Sequence, residues 1–147
     1  MPTRASDIFL PTAMAEEWDS VARRRGVSFG DVLWLAWEIT SQWMLEEARG
    51  INEPDPSRPE YRPTYEPCLP EWYEEVPPVA VSDLPRRLNC DGVVDKEQLA
   101  LKLPQRVHKA INDLAAYEDE SLSKRCQRVY LRARPYLLAW RDASPPR

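Results

Sequence analysis

The sequence is poor in the residues on which most enzyme and metal sites depend. Its 147 residues include one histidine, three cysteines and four glycines. The cysteines lie far apart, at positions 68, 90 and 126, and form no Cys-x-x-Cys pair, which argues against a zinc site and against a disulfide framework. The scattered glycines form no phosphate-binding loop, and His108 has no serine, cysteine or metal-ligand partner at a useful spacing. We therefore expect no catalytic residue, no metal and no cofactor, with His108 at the surface.

Long apolar runs are also missing. The longest, from Val32 to Trp37, is far shorter than the roughly 20 apolar residues that a membrane-spanning helix needs. The N-terminus does not show the basic stretch followed by an apolar stretch that is typical of a secretory signal. Together with the unpaired cysteines, these features favour a cytoplasmic protein that does not bind a membrane.

Charge and proline are unevenly distributed along the chain, whose net charge is −4. Residues 1–43 contain four basic and six acidic residues, residues 44–80 three and nine, and residues 81–147 thirteen and nine. Eight of the 15 prolines fall between Pro54 and Pro78, where neither a helix nor an inner strand can persist. The sequence thus divides into a module at 1–50, an acidic segment rich in proline and aromatic residues at 51–80, and a C-terminal region at 81–147.

The first module has the pattern of one short strand followed by two helices. The strand ends at Leu10-Pro11, and one face of the first helix then carries the apolar residues Met14, Trp18, Val21 and Ala22. Arginines 23–25 and Gly26 are typical of a helix C-terminus. Ser28 and Asp31 have the spacing of an N-cap and its reciprocal partner. The second helix is apolar almost all round, so partners must enclose it.

This order and spacing resembles the ribbon-helix-helix family (Arc/MetJ type), whose consensus also runs strand, Leu-Pro, helix, Ala-x-x-x-Gly, apolar-Ser, helix. The match extends from Leu10 to Ala36 without a gap, within a module at 5–45, and leaves the rest of the chain unassigned. One strand and two helices are too few to bury a sufficient core alone. The resemblance implies a homodimer in which two chains interlock and their strands pair antiparallel across a two-fold axis.

The resemblance also implies that the solvent face of the paired strands reads the major groove of DNA. Alternation back from Leu10 places Asp7 and Phe9 on that face and Ile8 in the core. The N-terminus of the second helix, at Ser28, corresponds to the family's phosphate clamp. The expected DNA-binding residues are Thr3, Arg4, Asp7, Phe9, Arg25 and Ser28.

The middle segment allows two interpretations. It is typical of an extended, polyproline-like linker that is solvated by its own charge. A spacer needs no aromatic residues, however, and those present favour an arm that lies across a groove of its own dimer or of a protein partner. The candidate contact residues are Tyr61, Tyr65, Trp72 and Tyr73.

The pattern of the C-terminal region predicts three helices. A short one covers 95–103, a second begins near Pro104, and the last covers 122–140 after the N-cap Ser121. The last helix has a basic side with no acid between Ser121 and Arg141. Such a stripe is most often solvated, but it also suits a nucleic-acid backbone, a protein partner or the chain's own acidic segment. The candidate partner-binding residues are Arg125, Arg128 and Arg132.

These patterns predict a mainly α protein with an N-terminal ribbon-helix-helix-like module, a proline-rich extended segment and a C-terminal helical segment. The leading hypothesis is a dimeric DNA-binding regulator, either a transcription regulator or an antitoxin-like protein, with a C-terminal partner-binding extension. An acidic Asp7 facing phosphates is unfavourable, which favours as an alternative a dimeric adaptor or accessory subunit that binds no DNA. This alternative would bind a protein partner through the 44–80 arm or the basic last helix. A third interpretation, an all-α accessory subunit, requires that the first strand is not a strand.

Overall fold

The computed structural model describes residues 3–49, 65–84 and 96–143, and the side chains of residues 7–48, 65–80, 82–84 and 97–143. Over these residues the protein is mainly helical, as predicted, with four α-helices and one two-stranded sheet. In chain order the strands and α-helices are β1 (Thr3–Pro11), α1 (Thr12–Arg25), α2 (Phe29–Arg49), β2 (Lys96–Pro104), α3 (Gln105–Tyr117) and α4 (Leu122–Asp142), with one turn of 3-10 helix at Val81–Asp83. None of the helices in this part of the chain has the length and apolar character needed to cross a bilayer.

The strand and the two helices predicted for the N-terminal module are present. Along β1 the side chains alternate, so that Ile8 is buried and Asp7 is exposed. α1 ends at Gly26, whose φ of 67° is favourable for a residue without a Cβ. At the start of α2, the amide of Ser28 donates to the Asp31 carboxylate at 3.1 Å, and the amide of Asp31 donates to the Ser28 hydroxyl at 3.0 Å. The presence of β1 rules out the all-α interpretation.

The prediction of a helix over 95–103 is wrong, because this stretch forms β2. Most of its residues are good helix formers, but its leucines alternate strictly. Leu101 and Leu103 are buried and Leu99 packs against the same core, whereas Ala100 and Lys102 between them are exposed. Pairing with a neighbouring strand and burial of one face outweigh the intrinsic helix propensity.

β1 pairs antiparallel with β2 of the same chain over all nine residues of each strand, from Thr3 opposite Pro104 to Pro11 opposite Lys96. This corrects the expectation that β1 pairs with the same strand of a second chain. A lone strand leaves its peptide groups without partners, and β2 supplies those partners here. The partner strand lay in a segment that the sequence pattern assigned to a helix.

The second half of the described chain repeats the first with a constant offset. The strands begin at residues 3 and 96, the next helices at 12 and 105 and the last helices at 29 and 122, so each element starts 93 residues after its counterpart. Gly26 and Asp119, which are equivalent, both have positive φ, 67° and 56°. The hydroxyls of the equivalent Ser28 and Ser121 each accept from the amide three residues later. The chain thus contains two strand-helix-helix units, a first unit at 3–49 and a second at 96–142.

A pseudo-two-fold axis relates the two units and passes through the middle of the sheet. Asp7 and Ala100 are equivalent under the 93-residue offset, and they are also cross-strand partners. Equivalent residues of two antiparallel strands face each other only where a two-fold axis passes between them. On one side of this axis Phe9 is opposite Gln98, and on the other side Lys102, the equivalent of Phe9, is opposite position 5.

The two units share one core. Trp18 of α1 is stacked between Phe29 of α2 and Tyr130 of α4, with ring centroids 4.5 and 5.0 Å apart. Beside this stack, the Glu17 carboxylate accepts from the Tyr130 hydroxyl at 2.6 Å and from the Arg134 guanidinium at 2.6 and 2.7 Å. Aromatic packing and a bidentate, charge-assisted contact therefore join α1 of the first unit to α4 of the second.

Candidate functional site

The solvent face of the two-stranded sheet is the first candidate site, and we call it the ribbon face. On β1 it carries Asp7 and Phe9, and the phenylalanine is 48% exposed. On β2 it carries Gln98, Ala100 and Lys102, all of which are exposed. The face therefore presents a carboxylate, an amide, an ammonium group and an aromatic ring on one two-stranded ribbon. The three residues of β2 were missed in the sequence because a helix would not have aligned them.

The first turns of α2 and α4 adjoin opposite edges of the ribbon. A Cβ on Gly30 would overlap the carbonyl oxygen of Lys102, so glycine is required for this turn to approach the β2 backbone so closely. At the start of α4, the Ser123 hydroxyl accepts from the Phe9 amide at 2.9 Å, and the Gln127 side chain donates to the Phe9 carbonyl at 3.1 Å. Gly30 is equivalent to Ser123 and Lys102 to Phe9, so the pseudo-symmetry extends to these contacts. Both strand edges are covered at these points by helix starts.

The two helix starts provide the chemistry of an anion site. Their N-cap residues, Ser28 and Ser121, are both exposed. Amides in the first turn of a helix have no acceptor within it, and the helix dipole adds positive potential, so each end suits a phosphate group. The Asp31 carboxylate already accepts from the Ser28 amide, and the Ser28 hydroxyl accepts from the Asp31 amide, so an anion here would have to meet the amides of Phe29 and Gly30 between them.

The other predicted DNA-binding residues have different surroundings. The guanidinium of Arg25 donates to the carbonyl oxygens of Trp140 and Ala143, at 2.6 and 3.1 Å, and lies 5.3 Å from the centroid of the Trp140 ring. Arg25 therefore stabilises the negative end of α4, and these donors are already used. The side chains of Thr3 and Arg4 lie outside the described residues, although their backbone belongs to β1.

Residues 65–84 form an extended arm that lies across α2 and α4. Tyr65 packs edge-on against Trp37 of α2, with centroids 5.4 Å apart, and Trp72 packs against Trp140 of α4 at 5.7 Å. The aromatic residues of the arm thus pack on the chain's own helices, whereas the sequence interpretation placed the arm across a groove of a dimer or of a protein partner. Tyr61 lies outside the described residues.

The third aromatic contact residue of the arm, Tyr73, lines a cleft between the arm and the helices. Its ring packs edge-on against Trp140 at 5.6 Å. The cleft has a volume of about 510 Å³ and includes Trp43 and Tyr136, and a second cleft of about 620 Å³ lies beside Arg106. Among the residues that the structure describes, no serine, threonine, cysteine or histidine lines either cleft.

A buried carboxylate holds the start of the arm. The Glu38 side chain of α2 is inaccessible to solvent and accepts hydrogen bonds from the Tyr65 hydroxyl and the Cys68 amide. Arg106 of α3 donates to the same carboxylate at 3.2 Å. Burial raises the pKa of Glu38, against the opposing effect of these three donors. Burial and the neighbouring Glu38 also raise the pKa of Tyr65, so its hydroxyl remains a donor at neutral pH.

The basic side of α4 is paired with acids of the same chain. Arg125 and Arg128 both bind the Glu120 carboxylate, at 2.8 and 2.6 Å. Arg132 binds Glu47 at 2.7 Å, so it docks on the start of the acidic 44–80 segment. These pairs neutralise much of the stripe, and binding of a partner by the three arginines stays a prediction.

Two residues with reactive side chains are buried. His108 was expected at the surface, but it is buried on α3, whose apolar face also carries Val107 and Ile111. Burial raises the pKa of the Cys126 thiol to about 12, so this cysteine is a thiol at neutral pH. Within the part of the chain that the structure describes, no three His, Cys, Asp or Glu side chains are grouped so that they could hold a metal ion.

The ribbon face and the two helix starts beside it differ from the clefts in one respect. They place exposed hydrogen-bonding side chains and two helix N-termini around a pseudo-two-fold axis. Comparison of the chain with protein-family models, with curated proteins and with solved structures gives no match in any of the three cases.

Proposed function

We propose that this protein binds DNA, and that its two units act as a ribbon-helix-helix pair within a single chain. The proposal is carried by the pseudo-two-fold axis between Asp7 and Ala100. The first unit resembles the ribbon-helix-helix family, and this resemblance implies that the strands of two separate chains pair antiparallel about such an axis. In both units the strand leads into its helix through the same dipeptide, Leu10-Pro11 and Leu103-Pro104. The second unit thereby takes the place of the second chain expected for a homodimer.

The ribbon face has groups suited to base edges. A two-stranded ribbon fits into the major groove of B-DNA, where each base pair shows a distinct pattern of donors and acceptors. The Gln98 amide matches adenine, the Lys102 ammonium group matches guanine, and the Phe9 ring suits the methyl group of thymine. All three side chains are exposed on the same face, which supports direct readout of sequence.

The helix starts at Ser28 and Ser121 would hold the phosphates on either side of the groove. Because the arginines of α4 are paired internally and the chain carries a net charge of −4, we expect backbone amides rather than a basic surface to position the protein. Few counterions are released by so few contacts, so the slope of log K against log salt should be shallow, roughly −1 to −3.

An electrophoretic mobility shift with the full chain and random duplex DNA, at about 50 and 200 mM salt, tests the proposal. Ser28→Glu and Ser121→Glu place a carboxylate where a phosphate would lie, and each should weaken binding at least tenfold, or about 1.4 kcal/mol. Ser28→Ala removes the cap without adding charge and should lose far less affinity. Ser82→Glu makes the same change at an exposed position of the arm and should bind as the wild type does.

Two results would contradict the proposal. One is the absence of any retarded DNA at the lower salt concentration with a folded wild-type protein. The other is equal binding by Ser28→Glu, Ser121→Glu and Ser82→Glu, because the helix starts would then not meet the phosphate backbone. Circular dichroism of each variant separates loss of binding from loss of fold.

A second function, that of an adaptor that binds another protein, is favoured by one observation. Phe9 is an aromatic side chain left about half exposed, and it lies two residues from the exposed Asp7 on the same face. An aromatic ring beside a carboxylate suits a protein surface better than a phosphate backbone. Mass spectrometry of proteins that co-purify from native lysate tests this function. A partner lost with Phe9→Ser and kept with Ser28→Glu would support the adaptor, and a partner kept by both would contradict it.

A further inference from the structure

We infer that the ribbon face recognises a DNA site without two-fold symmetry, selective for an A·T pair at one end and for a G·C pair at the other. The inference rests on the proposed DNA binding and adds the class of sequence that is bound. A homodimer presents identical side chains on both sides of its axis and therefore matches a palindromic site. A single chain with two different units is not subject to that restriction.

The backbone of the ribbon is pseudo-symmetric, but its outward side chains are not. The equivalent positions on the ribbon face are 5 and 98, 7 and 100, and 9 and 102. In the first unit they hold alanine, aspartate and phenylalanine, and in the second unit glutamine, alanine and lysine. No outward position has the same residue in both units. Rotation about the axis therefore replaces each outward side chain by one of different chemical type.

One end of the ribbon combines Phe9 and Gln98. They are cross-strand partners, so their Cβ atoms lie about 4.5–5.5 Å apart and their side chains reach the same or adjacent base pairs. The amide of glutamine can bond to N6 and N7 of adenine, and the aromatic ring can contact the methyl group of thymine. Both preferences are met by A·T pairs, so this end should select for them.

The other end carries Lys102, whose cross-strand partner is the alanine at position 5. An ammonium group beside a residue with no polar side-chain atoms favours the two acceptors of guanine, O6 and N7. Asp7 lies at the axis between the two ends, where its carboxylate can accept from the amino group of cytosine and is repelled by acceptors. The ribbon therefore changes from an amide and an aromatic ring at one end, through an anion, to a cation at the other.

The two ends are separated by a distance that fixes the spacing in the DNA. Phe9 and the partner of Lys102 on β1 are four residues apart, which is roughly 13 Å at about 3.3 Å per residue. With base pairs about 3.4 Å apart, this distance corresponds to about four steps. The expected site thus has an A·T pair and a G·C pair about four steps apart.

Selection of random duplex DNA by the full chain, followed by sequencing, tests the inference. We expect a non-palindromic motif from the wild type. Gln98→Ala should lose the preference at the A·T end alone and Lys102→Ala that at the G·C end alone, each with a loss of about 5- to 150-fold in affinity for the selected site. Lys109→Ala removes the same charge from the exposed side of α3, where the lysine pairs with Asp113, and should select the wild-type motif.

A variant with the same outward residues on both strands provides a test in which the selected DNA motif gains symmetry, instead of losing a base preference. The triple variant Ala5→Gln, Asp7→Ala, Phe9→Lys gives β1 the three outward residues of β2, so both ends present glutamine and lysine. This variant should select a palindromic motif. A motif from the triple variant that is as asymmetric as the wild-type motif would overturn the inference.

The remaining outcomes distinguish failure of the inference from failure of the proposed DNA binding on which it rests. A palindromic motif from the wild type, or retained DNA without any motif, overturns the inference and leaves DNA binding in place. No retained DNA from a folded wild type overturns both. Loss of preference at both ends in either single variant also contradicts the inference, because the two ends would then not be read independently.

Discussion

Glu17 offers the most direct test of how the two units are held together. Its carboxylate accepts three hydrogen bonds from α4, two from Arg134 and one from Tyr130, and the side chains of Glu17 and Arg134 are only 14% and 6% exposed. Glu17→Ala takes the carboxylate away from a nearly buried guanidinium. Removing one partner of a buried ion pair costs about 3–5 kcal/mol. Because Glu17 keeps some contact with solvent, we expect the lower end, about 3 kcal/mol.

Urea unfolding followed by tryptophan fluorescence measures this loss, and the thermal midpoint should fall by roughly 6–12 °C at about 2–4 °C per kcal/mol. Asp19→Ala is the matched control on the same helix, because Asp19 pairs with Arg23 where the side chains are 48% and 82% exposed. That pair should contribute less than about 1 kcal/mol. Combining Glu17→Ala with Arg134→Met should recover part of the loss, since the buried charge is then gone. Equal effects of Glu17→Ala and Asp19→Ala would refute the reasoning.

Two further predictions concern the ribbon edge and the arm. Gly30→Ala should destabilise the protein by about 1–3 kcal/mol in urea unfolding, because its Cβ meets the Lys102 carbonyl, and a neutral or stabilising result would contradict the close approach. Burial raises the pKa of Glu38 above its unfolded value, so this carboxyl adds stability below the unfolded pKa and loses it as pH rises through the folded pKa. As the pH falls from 7 to about 4.5, the free energy of unfolding of the wild type should therefore rise relative to that of Glu38→Gln. A fall instead of a rise would mean that the three donors Arg106, Tyr65 and Cys68 lower the pKa of Glu38 by more than burial raises it.

The elements with strong local signals were predicted from the sequence. Helix α1 ends at a glycine after three arginines, and α2 begins at Ser28 with Asp31 three residues on, so both boundaries are specified by nearby residues. Helices α3 and α4 follow their own apolar spacing and the cap at Ser121 in the same way. Such boundaries depend on hydrogen bonds within a few residues, which a sequence pattern can show.

β2 was missed because its signals conflict. Lysine, glutamate, glutamine, alanine and leucine all favour helices, whereas the alternation of Leu99, Leu101 and Leu103 has the period of a strand. The pairing that decides between them comes from β1, more than 90 residues away. The same error hid Gln98 and Lys102 from the list of candidate site residues, since a helix would have put them on different faces. A second Leu-Pro at the end of the stretch was the signal that could have identified it.

The repeat itself is hidden because the two units keep the burial pattern and not the residues. Identity at the 93-residue offset is confined to five pairs of positions in 3–49 and 96–142, namely Leu10 and Leu103, Pro11 and Pro104, Ala22 and Ala115, Ser28 and Ser121, and Leu45 and Leu138. At many other positions a buried residue is matched by a different buried residue, as Trp37 is by Tyr130, although the buried Leu35 is matched by the exposed Arg128. A core tolerates such exchanges provided that volume and patterning are kept.

Both strands of the sheet belong to one polypeptide, and this changes how the ribbon face responds to dilution of the protein. When a surface is assembled from two molecules, it disappears on dilution below their dissociation constant. Here both strands belong to one folded chain, so dilution does not separate them. If the ribbon face binds DNA as proposed, the occupancy of a DNA site at low protein concentration would be proportional to the number of protein molecules. Each molecule would keep both strands paired, however few molecules are present.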